Sequence, residues 1–135
     1  MMRADNRTRR VHTVEDLRVR SGGDRPPREY ELPGSGTWPD VQLVPDAPVS
    51  AHYGREVARR LHTILRDRHL KETSVAARAG LSHPTLGRIL AGTTSVTVAT
   101  LARLEMELET DLYPVGLYKE VRTAAVESPL GGSAA

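Results

Sequence analysis

The sequence predicts an all-α protein, a compact bundle of four to five helices behind an extension that is rich in Pro, Gly and Arg. Apolar residues recur at helical spacing through residues 50–114. Phe is absent, so the core must be built from Leu, Val, Ile and Ala. We therefore divide the 135-residue chain into a largely irregular N-terminal extension (1–49), a helical domain (50–114) and a short C-terminal element with a flexible tail (115–135).

Composition narrows the class of protein further. The chain has no Cys, which excludes disulfides and thiolate metal sites. No apolar run approaches the roughly 18 residues that a membrane-spanning helix needs. The charged N-terminus has no apolar stretch behind it that would make a signal peptide. We therefore expect a cytoplasmic protein that does not associate with a membrane.

The N-terminal extension offers little that folds by itself. Residues 1–28 carry too few apolar side chains to offset chain entropy, so we expect disorder or weak local structure there. Between residues 29 and 49 the frequent Pro and Gly exclude a helix and leave room for a small hairpin across Pro33–Gly36. Trp38, the only Trp of the chain, is expected to pack against the helical body rather than bind a ligand.

The first helix is predicted to follow Ser50, a residue type that is favoured at N-caps. Apolar side chains then recur at helical spacing from Tyr53 to Leu65, and Arg residues occupy the opposite face. The pattern ends near Arg68. Such a helix buries one side and leaves the other in water.

Two short helices follow, with a glycine between them. The first is predicted over Thr73–Ala79, capped from its own first residues. Gly80 then stands where the backbone needs a left-handed conformation, which Gly adopts without strain. The second covers about residues 82–90, with Ser82 as its N-cap and Pro84 in the first turn, where Pro is tolerated.

Thr97 is predicted to cap a fourth helix. Its inner side carries four apolar residues, Val98, Leu101, Leu104 and Leu108. Pro114 ends that run. Beyond it the sequence fits either a short fifth helix or a strand over residues 115–118, and the pattern does not choose between them.

Positive charge is concentrated on the segment that holds the pair of short helices. Residues 50–92 carry eight Lys or Arg against three acidic residues, a net charge of +5. Residues 1–49 are neutral, and residues 93–135 have a net charge of −3. One basic subdomain in a nearly neutral chain is typical of nucleic-acid binding, because cationic side chains displace the counterions of phosphates.

Residues 53–114 resemble the phage repressor/Cro-type (Xre-type) helix-turn-helix domain. The marks of the resemblance are Ala76 in the second helix, Gly80 in the turn, Leu86 and Ile89 in the third helix, and the Leu90-Ala91-Gly92 exit. The resemblance implies a lambda-repressor-like bundle that binds double-stranded DNA as a transcriptional regulator, usually a repressor, with its third helix in the major groove. Two residues depart from the family pattern. Thr73 stands where Gln often begins the second helix, and Pro84 lies inside the recognition segment.

The resemblance assigns DNA contacts to nine residues. His83, Pro84 and Arg88 take the base-facing positions, and Arg88 is the best candidate because a guanidinium can bond both major-groove acceptors of guanine. Pro84 and Thr85 can meet a thymine methyl, while Ser82 can cap its helix, donate to phosphate, or do both. Contacts to the DNA backbone are expected from four hydroxyl-bearing residues, Thr73, Thr93, Thr94 and Ser95.

Family members of this kind bind DNA as dimers, so we expect a homodimer on a two-fold related site, with its dimer surface from the fourth helix onward. Two other roles stay open. In an antitoxin of a toxin–antitoxin pair, residues 1–49 would fold on a protein partner. An interaction module would keep the fold and lose DNA binding.

Catalysis and cofactors are not expected. The five His show no helical zinc-site spacing, so no metal site is predicted. Nucleophile elbows, phosphate-cradling glycine loops and paired catalytic carboxylates are missing from the sequence. We predict a protein that is not an enzyme and that binds no cofactor.

Overall fold

A computed structural model describes residues 23–127 of the chain. Within these residues the architecture is all-α, as the sequence predicts, with five α-helices and no strand. The helices are α1 (Val49–Asp67), α2 (Glu72–Ala79), α3 (His83–Ala91), α4 (Val98–Leu108) and α5 (Leu117–Glu127). In the same part of the chain, no helix is both long enough and apolar enough to cross a membrane. The expectations for residues 1–22 and for the tail after residue 127 lie outside the described residues.

One apolar core holds α1, α2, α3 and α4 together. Each contributes at least one fully buried side chain, Leu61, Val75, Leu86 and Leu104 respectively, and Leu112 closes the cluster. Fully burying one such side chain stabilises the fold by about 1.5–3 kcal/mol. Both α1 and α2 pack against α3, and α2 also packs against α4. The core therefore fixes α3 from behind and leaves its outer face free.

Local capping signals confirm the boundaries predicted for the middle of the chain. Gly80 follows α2 with a positive φ of 77°, as a left-handed helix end requires. The Ser82 hydroxyl accepts a hydrogen bond from the Thr85 backbone N–H at 3.1 Å, so Ser82 caps α3. Thr97 caps α4 in the same way through the N–H of Thr100, also at 3.1 Å.

Three local predictions are wrong. Pro48, not Ser50, is the N-cap of α1, and the Ser50 hydroxyl instead donates to Asp24 at 2.7 Å. Helix α2 begins one residue earlier than predicted, after Lys71, and has no side-chain cap. Val98 is 83% exposed, because the first residue of α4 extends past the edge of the core.

The chain before α1 wraps onto the helical body, and we call residues 24–48 the N-terminal strap. It begins with a 3-10 turn, Pro27–Tyr30, and isolated antiparallel bridges join Glu31 to Leu43 and Thr37 to Asp40. The hairpin expected across residues 33–36 is thus reduced to these bridges. Within residues 24–28, Pro27 is buried against Gly54 of α1, while Asp24, Arg25 and Arg28 are exposed.

Helix α5 decides the alternative that the sequence left open after Pro114. Its residues Val121 and Ala125 are buried and pack with Val49 at the start of α1. The Tyr118 backbone N–H also donates to the Tyr53 hydroxyl at 2.9 Å. Both flanking segments therefore pack on α1, and the domain boundaries at residues 49 and 114 stay a prediction.

Candidate nucleic-acid interface

The outer face of α3 gathers the residues predicted to face DNA bases. Helical periodicity puts His83, Pro84, Gly87 and Arg88 on one side of this helix. His83, Pro84 and Arg88 are exposed, and Leu86 is fully buried behind them. The short helix thus presents a polar and basic outer face on a well-packed apolar base.

Arg88 is the cation of this face. Its side chain is exposed, and no carboxylate of residues 23–127 lies within the 4.0 Å of an ion pair. Among the described residues its guanidinium also donates no hydrogen bond. Its donors are therefore directed at solvent from the middle of the exposed face.

Glu72 is a functional candidate that the sequence reasoning missed. It is the first residue of α2, and its Oε1 atom lies 3.4 Å from His83 Nε2. The same carboxylate oxygen stands 4.0 Å from the point that a Cβ on Gly87 would occupy. An acidic group therefore lies beside the outer face of α3. The signal in the sequence is its position at the start of α2, the helix that crosses the DNA backbone in this class of motif.

At the amino end of α3, side-chain hydroxyl groups bond to each other and to the helix backbone. The Ser82 and Thr85 hydroxyls lie 2.8 Å apart, in addition to the cap bond to the Thr85 N–H. Ser82 therefore caps α3 and is exposed, and Thr85 is half-buried. Thr73 is exposed at the second position of α2.

The loop after α3 brings the remaining three predicted residues to one edge of the bundle. The Thr93 backbone N–H donates to the Arg88 carbonyl at 3.0 Å, which turns the chain back over the end of the helix. Thr93 and Ser95 are exposed, while Thr94 is half-buried and its hydroxyl donates to the Ser95 carbonyl at 3.4 Å. The Thr93 hydroxyl also donates to the Arg88 carbonyl, at 3.5 Å, so the loop places hydroxyl groups at the carboxyl end of α3, two of them bonded to backbone carbonyls.

Part of the basic charge on residues 50–92 is paired with carboxylates. Arg59 and Arg60 both bind Glu56, at 2.6 and 2.9 Å, and hydrogen bonds from these guanidinium groups lower the pKa of Glu56. Arg78 binds Glu107 on α4 at 2.6 Å. Several of the eight cations therefore stabilise the bundle itself.

The two histidines on α1 lie against other parts of the helical bundle. Burial, with a smaller contribution from the Arg55 charge, lowers the pKa of His52 to about 4. His62 Nε2 lies 2.9 Å from the Leu90 carbonyl oxygen at the end of α3. Within residues 23–127, no group of three or more His, Cys, Asp or Glu side chains is arranged to hold a metal ion.

The N-terminal strap reaches the carboxyl end of α3, which the sequence reasoning did not foresee in detail. The Trp38 indole N–H donates to the Leu90 carbonyl at 3.1 Å, so this side chain packs against the helical body as predicted. Arg28 donates from its backbone to the Gly92 carbonyl at 2.9 Å. Both contacts join residues more than fifty positions apart, and no local pattern signals them.

Two short helices at a glycine turn, with the second exposed on a helical core, define the class of helix-turn-helix DNA-binding domains. Residues 61–114 match the family model described as helix-turn-helix. This part of the chain is a helix-turn-helix domain of the phage repressor/Cro type, a DNA-binding domain of transcription regulation. Comparisons with curated proteins and with solved structures find no match.

Proposed function

We propose that the protein is a sequence-specific transcriptional repressor that reads the major groove of DNA with α3. The observation that carries the proposal is the outer face of α3, where His83, Pro84 and Arg88 lie exposed on a buried apolar base. The major groove, about 12 Å wide, admits one α-helix. A repressor of this kind acts by occupying DNA that the polymerase needs.

The side chains divide between base reading and backbone contact. Arg88 donates to the two acceptors on the major-groove edge of guanine, and His83 and Pro84 contact the neighbouring base pairs. The exposed hydroxyls of Thr93 and Ser95, with the backbone of Thr94, bind phosphate beside the groove. Thr73 and Ser82 approach the phosphates at the other side, near the start of each short helix.

A homodimer completes the proposed DNA-binding unit. An apolar groove opens beside the loop at Ser95 and is lined by Tyr53, Val98, Tyr113 and Tyr118. Val98 exposes 83% of its surface, Tyr113 and Tyr118 are about half exposed, and Val115, two residues after Tyr113, exposes 87%. Because burying such side chains is favourable and the groove adjoins the loop proposed to bind phosphate, we assign this face to a second copy of the chain.

A double variant, Val98→Glu with Val115→Glu, tests the dimer. The two charges should abolish cooperative occupancy of a two-fold site in gel-shift titrations while a single half-site is still bound. The exposed Val126→Glu variant is the control and should leave cooperativity intact. Equal cooperativity in all three proteins would reject this face as the dimer surface.

Selection of bound sequences from random duplex DNA tests the proposed function itself. The expected result is a two-fold repeat with half-sites about 10–10.5 base pairs apart, or a multiple of that spacing. Affinity for the selected duplex should fall steeply as salt rises, because phosphate contacts release counterions. If no DNA sequence is enriched, or if affinity does not change with salt, the proposal is contradicted and an interaction module is favoured.

The packing of the N-terminal strap supports the repressor over the antitoxin. Val41 and Ala47 of the strap are buried, and Trp38 is bound to α3, so a toxin would have to displace an existing contact. Co-expression with the product of a neighbouring gene, followed by purification through this chain, tests the alternative. A stoichiometric second protein would favour the antitoxin.

A further inference from the structure

We propose that the N-terminal strap belongs to the DNA-reading unit, because Arg28 and Trp38 hold the carboxyl end of α3 and so set where its base-facing side chains lie. Both are positioning residues rather than DNA-contacting ones. Both lie outside residues 61–114, the segment that matches the helix-turn-helix family. The inference rests on the proposed function, in which α3 is the recognition helix.

The last turn of α3 leaves hydrogen-bond acceptors that the helix does not use. Gly92 and Thr93 donate backwards to the carbonyls of Ile89 and Arg88, as is common where a glycine ends a helix. The next three carbonyl oxygens have no donor within the turn. Unpaired carbonyls at a helix end favour fraying, and α3 has only nine residues.

The strap supplies a donor to each of these three carbonyls. The Trp38 indole N–H donates to Leu90 at 3.1 Å, beside His62 Nε2 of α1, which lies 2.9 Å from the same carbonyl oxygen. Arg28 donates twice, from its guanidinium to Ala91 at 3.4 Å and from its backbone N–H to Gly92 at 2.9 Å. Arg28 is itself held by Glu31, at 3.5 Å. The strap therefore acts as a C-terminal cap that is built from a distant part of the chain.

Two glycines of the helical body fit the strap sterically. A Cβ on Gly92 would overlap the six-membered ring of Trp38, and a Cβ on Gly54 would overlap the ring of Pro27. The strap thus lies in van der Waals contact with backbone at the start of α1 and at the end of α3. These contacts fix its donors relative to α3.

The held turn is the one that carries Arg88. Its backbone carbonyl accepts from Thr93 in the same turn, and Ala91 lies one helical turn after it on the same face. A guanidinium reads guanine only when both of its donors meet their acceptors, so binding sites tolerate displacements of about 0.5 Å. Release of the strap should therefore reduce specific binding more than non-specific binding, because phosphate contacts depend less on exact position than the two bonds to guanine.

Three variants separate this role from general charge and general stability. Trp38→Phe keeps an aromatic side chain but removes the indole donor and part of the ring that lies on Gly92. Arg28→Ala removes the guanidinium donor to Ala91. Arg25→Ala is the matched control, because it removes the same charge from the same segment. Within residues 23–127 the Arg25 guanidinium pairs with Glu29, at 3.1 Å, and with no group of α3. All are compared at a temperature where urea titrations show each protein to be folded.

Affinity is measured for the selected duplex and for poly(dI-dC) as non-specific DNA. We expect Trp38→Phe and Arg28→Ala to weaken binding of the selected duplex about two- to tenfold, the range that one net hydrogen bond supports. Binding to poly(dI-dC) should change less than twofold. Amide hydrogen exchange of residues 90–93 should quicken in both variants and not in Arg25→Ala.

Several results would overturn the inference. Unchanged affinity and exchange would show that the strap does not hold α3, and an equal loss on both DNAs would indicate a charge or folding effect. A loss in Arg25→Ala as large as in Arg28→Ala would have the same meaning. These results leave the proposed function intact as long as the wild type prefers the selected duplex. A wild type without that preference would contradict the proposed function and the inference together.

Discussion

Two glycines that end neighbouring helices show how the face covered by the N-terminal strap differs from the face left open. Gly80 and Gly92 have nearly the same positive φ, 77° and 74°. A Cβ on Gly80 would contact only the Arg103 guanidinium at 3.6 Å, whereas one on Gly92 would overlap the Trp38 ring. The two turns therefore have the same backbone conformation, but only the one at Gly92 is packed against an aromatic ring from a distant part of the chain.

Two glycines inside helices repeat the contrast. Gly54 of α1 lies under the Pro27 ring, while Gly87 of α3 has only the Glu72 carboxylate oxygen 4.0 Å from its Cβ position. One side of the bundle is closed by the chain itself, and the other is open where DNA is proposed to bind. Substitutions at matched positions should therefore have effects that local conformation alone does not predict.

The largest difference is expected between Gly92→Ala and Gly80→Ala. A left-handed Ala costs about 1–2 kcal/mol at either site. Gly92→Ala adds overlap with Trp38, for which overpacking costs about 1–3 kcal/mol more. Urea denaturation should show the larger loss of unfolding free energy for Gly92→Ala. Equal losses would mean that the strap does not press on the end of α3.

Low pH should destabilise the protein through His52, a half-buried residue of α1, rather than through a residue of the proposed DNA face. The pKa of His52 is lowered to about 4, so the folded state keeps this ring neutral where the unfolded chain, with an ordinary value of 6.5, binds a proton. The corresponding stability is complete above pH 6.5 and is lost as pH falls from 6.5 towards 4, by roughly 3 kcal/mol.

Urea titrations at several pH values test this for the wild type and for His52→Gln. The variant should lose less stability over the same pH interval, because glutamine does not titrate. Parallel pH profiles for the two proteins would exclude His52 as the source of the acid sensitivity.

A smaller contrast of opposite sign is expected inside the helices. Gly87→Ala should stabilise the protein by up to about 1 kcal/mol, because Ala is the better helix former and space is available. Gly54→Ala has the same helix-propensity gain but overlaps Pro27, and should destabilise the protein by about 1–2 kcal/mol. Thermal melts of the two variants measure this difference. A Gly54→Ala protein more stable than wild type would show that Pro27 does not pack on α1.

Removing the acid beside α3 should have the smallest effect. Glu72→Gln keeps the size of the side chain and removes a negative charge from the proposed DNA face. Affinity for the selected duplex should rise by about 1 kcal/mol, roughly the interaction of two unit charges a few ångströms apart in water. Glu120→Gln, which removes an exposed charge from α5, is the control. A loss of affinity in Glu72→Gln would instead make Glu72 a base-reading acceptor.

Features decided within a few residues were predictable from the sequence. The caps at Ser82 and Thr97 and the turn at Gly80 depend on hydrogen bonds and backbone conformations local to those residues. Four of the five helices follow from apolar periodicity in the same way, whereas the pattern left α5 open between a helix and a strand. Val98 was misassigned because periodicity tells which side of a helix is apolar but not where the neighbouring helix ends.

Features decided by distant packing were not predictable. Arg28 meets Ala91 across 63 positions, and nothing near either residue signals the contact. Glu72 was missed as a neighbour of His83 because their distance depends on how α2 crosses α3. The exposed position of Arg88, by contrast, follows from the periodicity of α3 alone.

The most direct test of DNA reading by α3 is a titration of wild type and Arg88→Ala against the selected duplex and a series of single base-pair substitutions. The variant should lose about 1–3 kcal/mol of specific binding and its preference at one base pair, with an unchanged unfolding free energy. Selectivity identical to wild type at every position would contradict the assignment of α3 as the recognition helix.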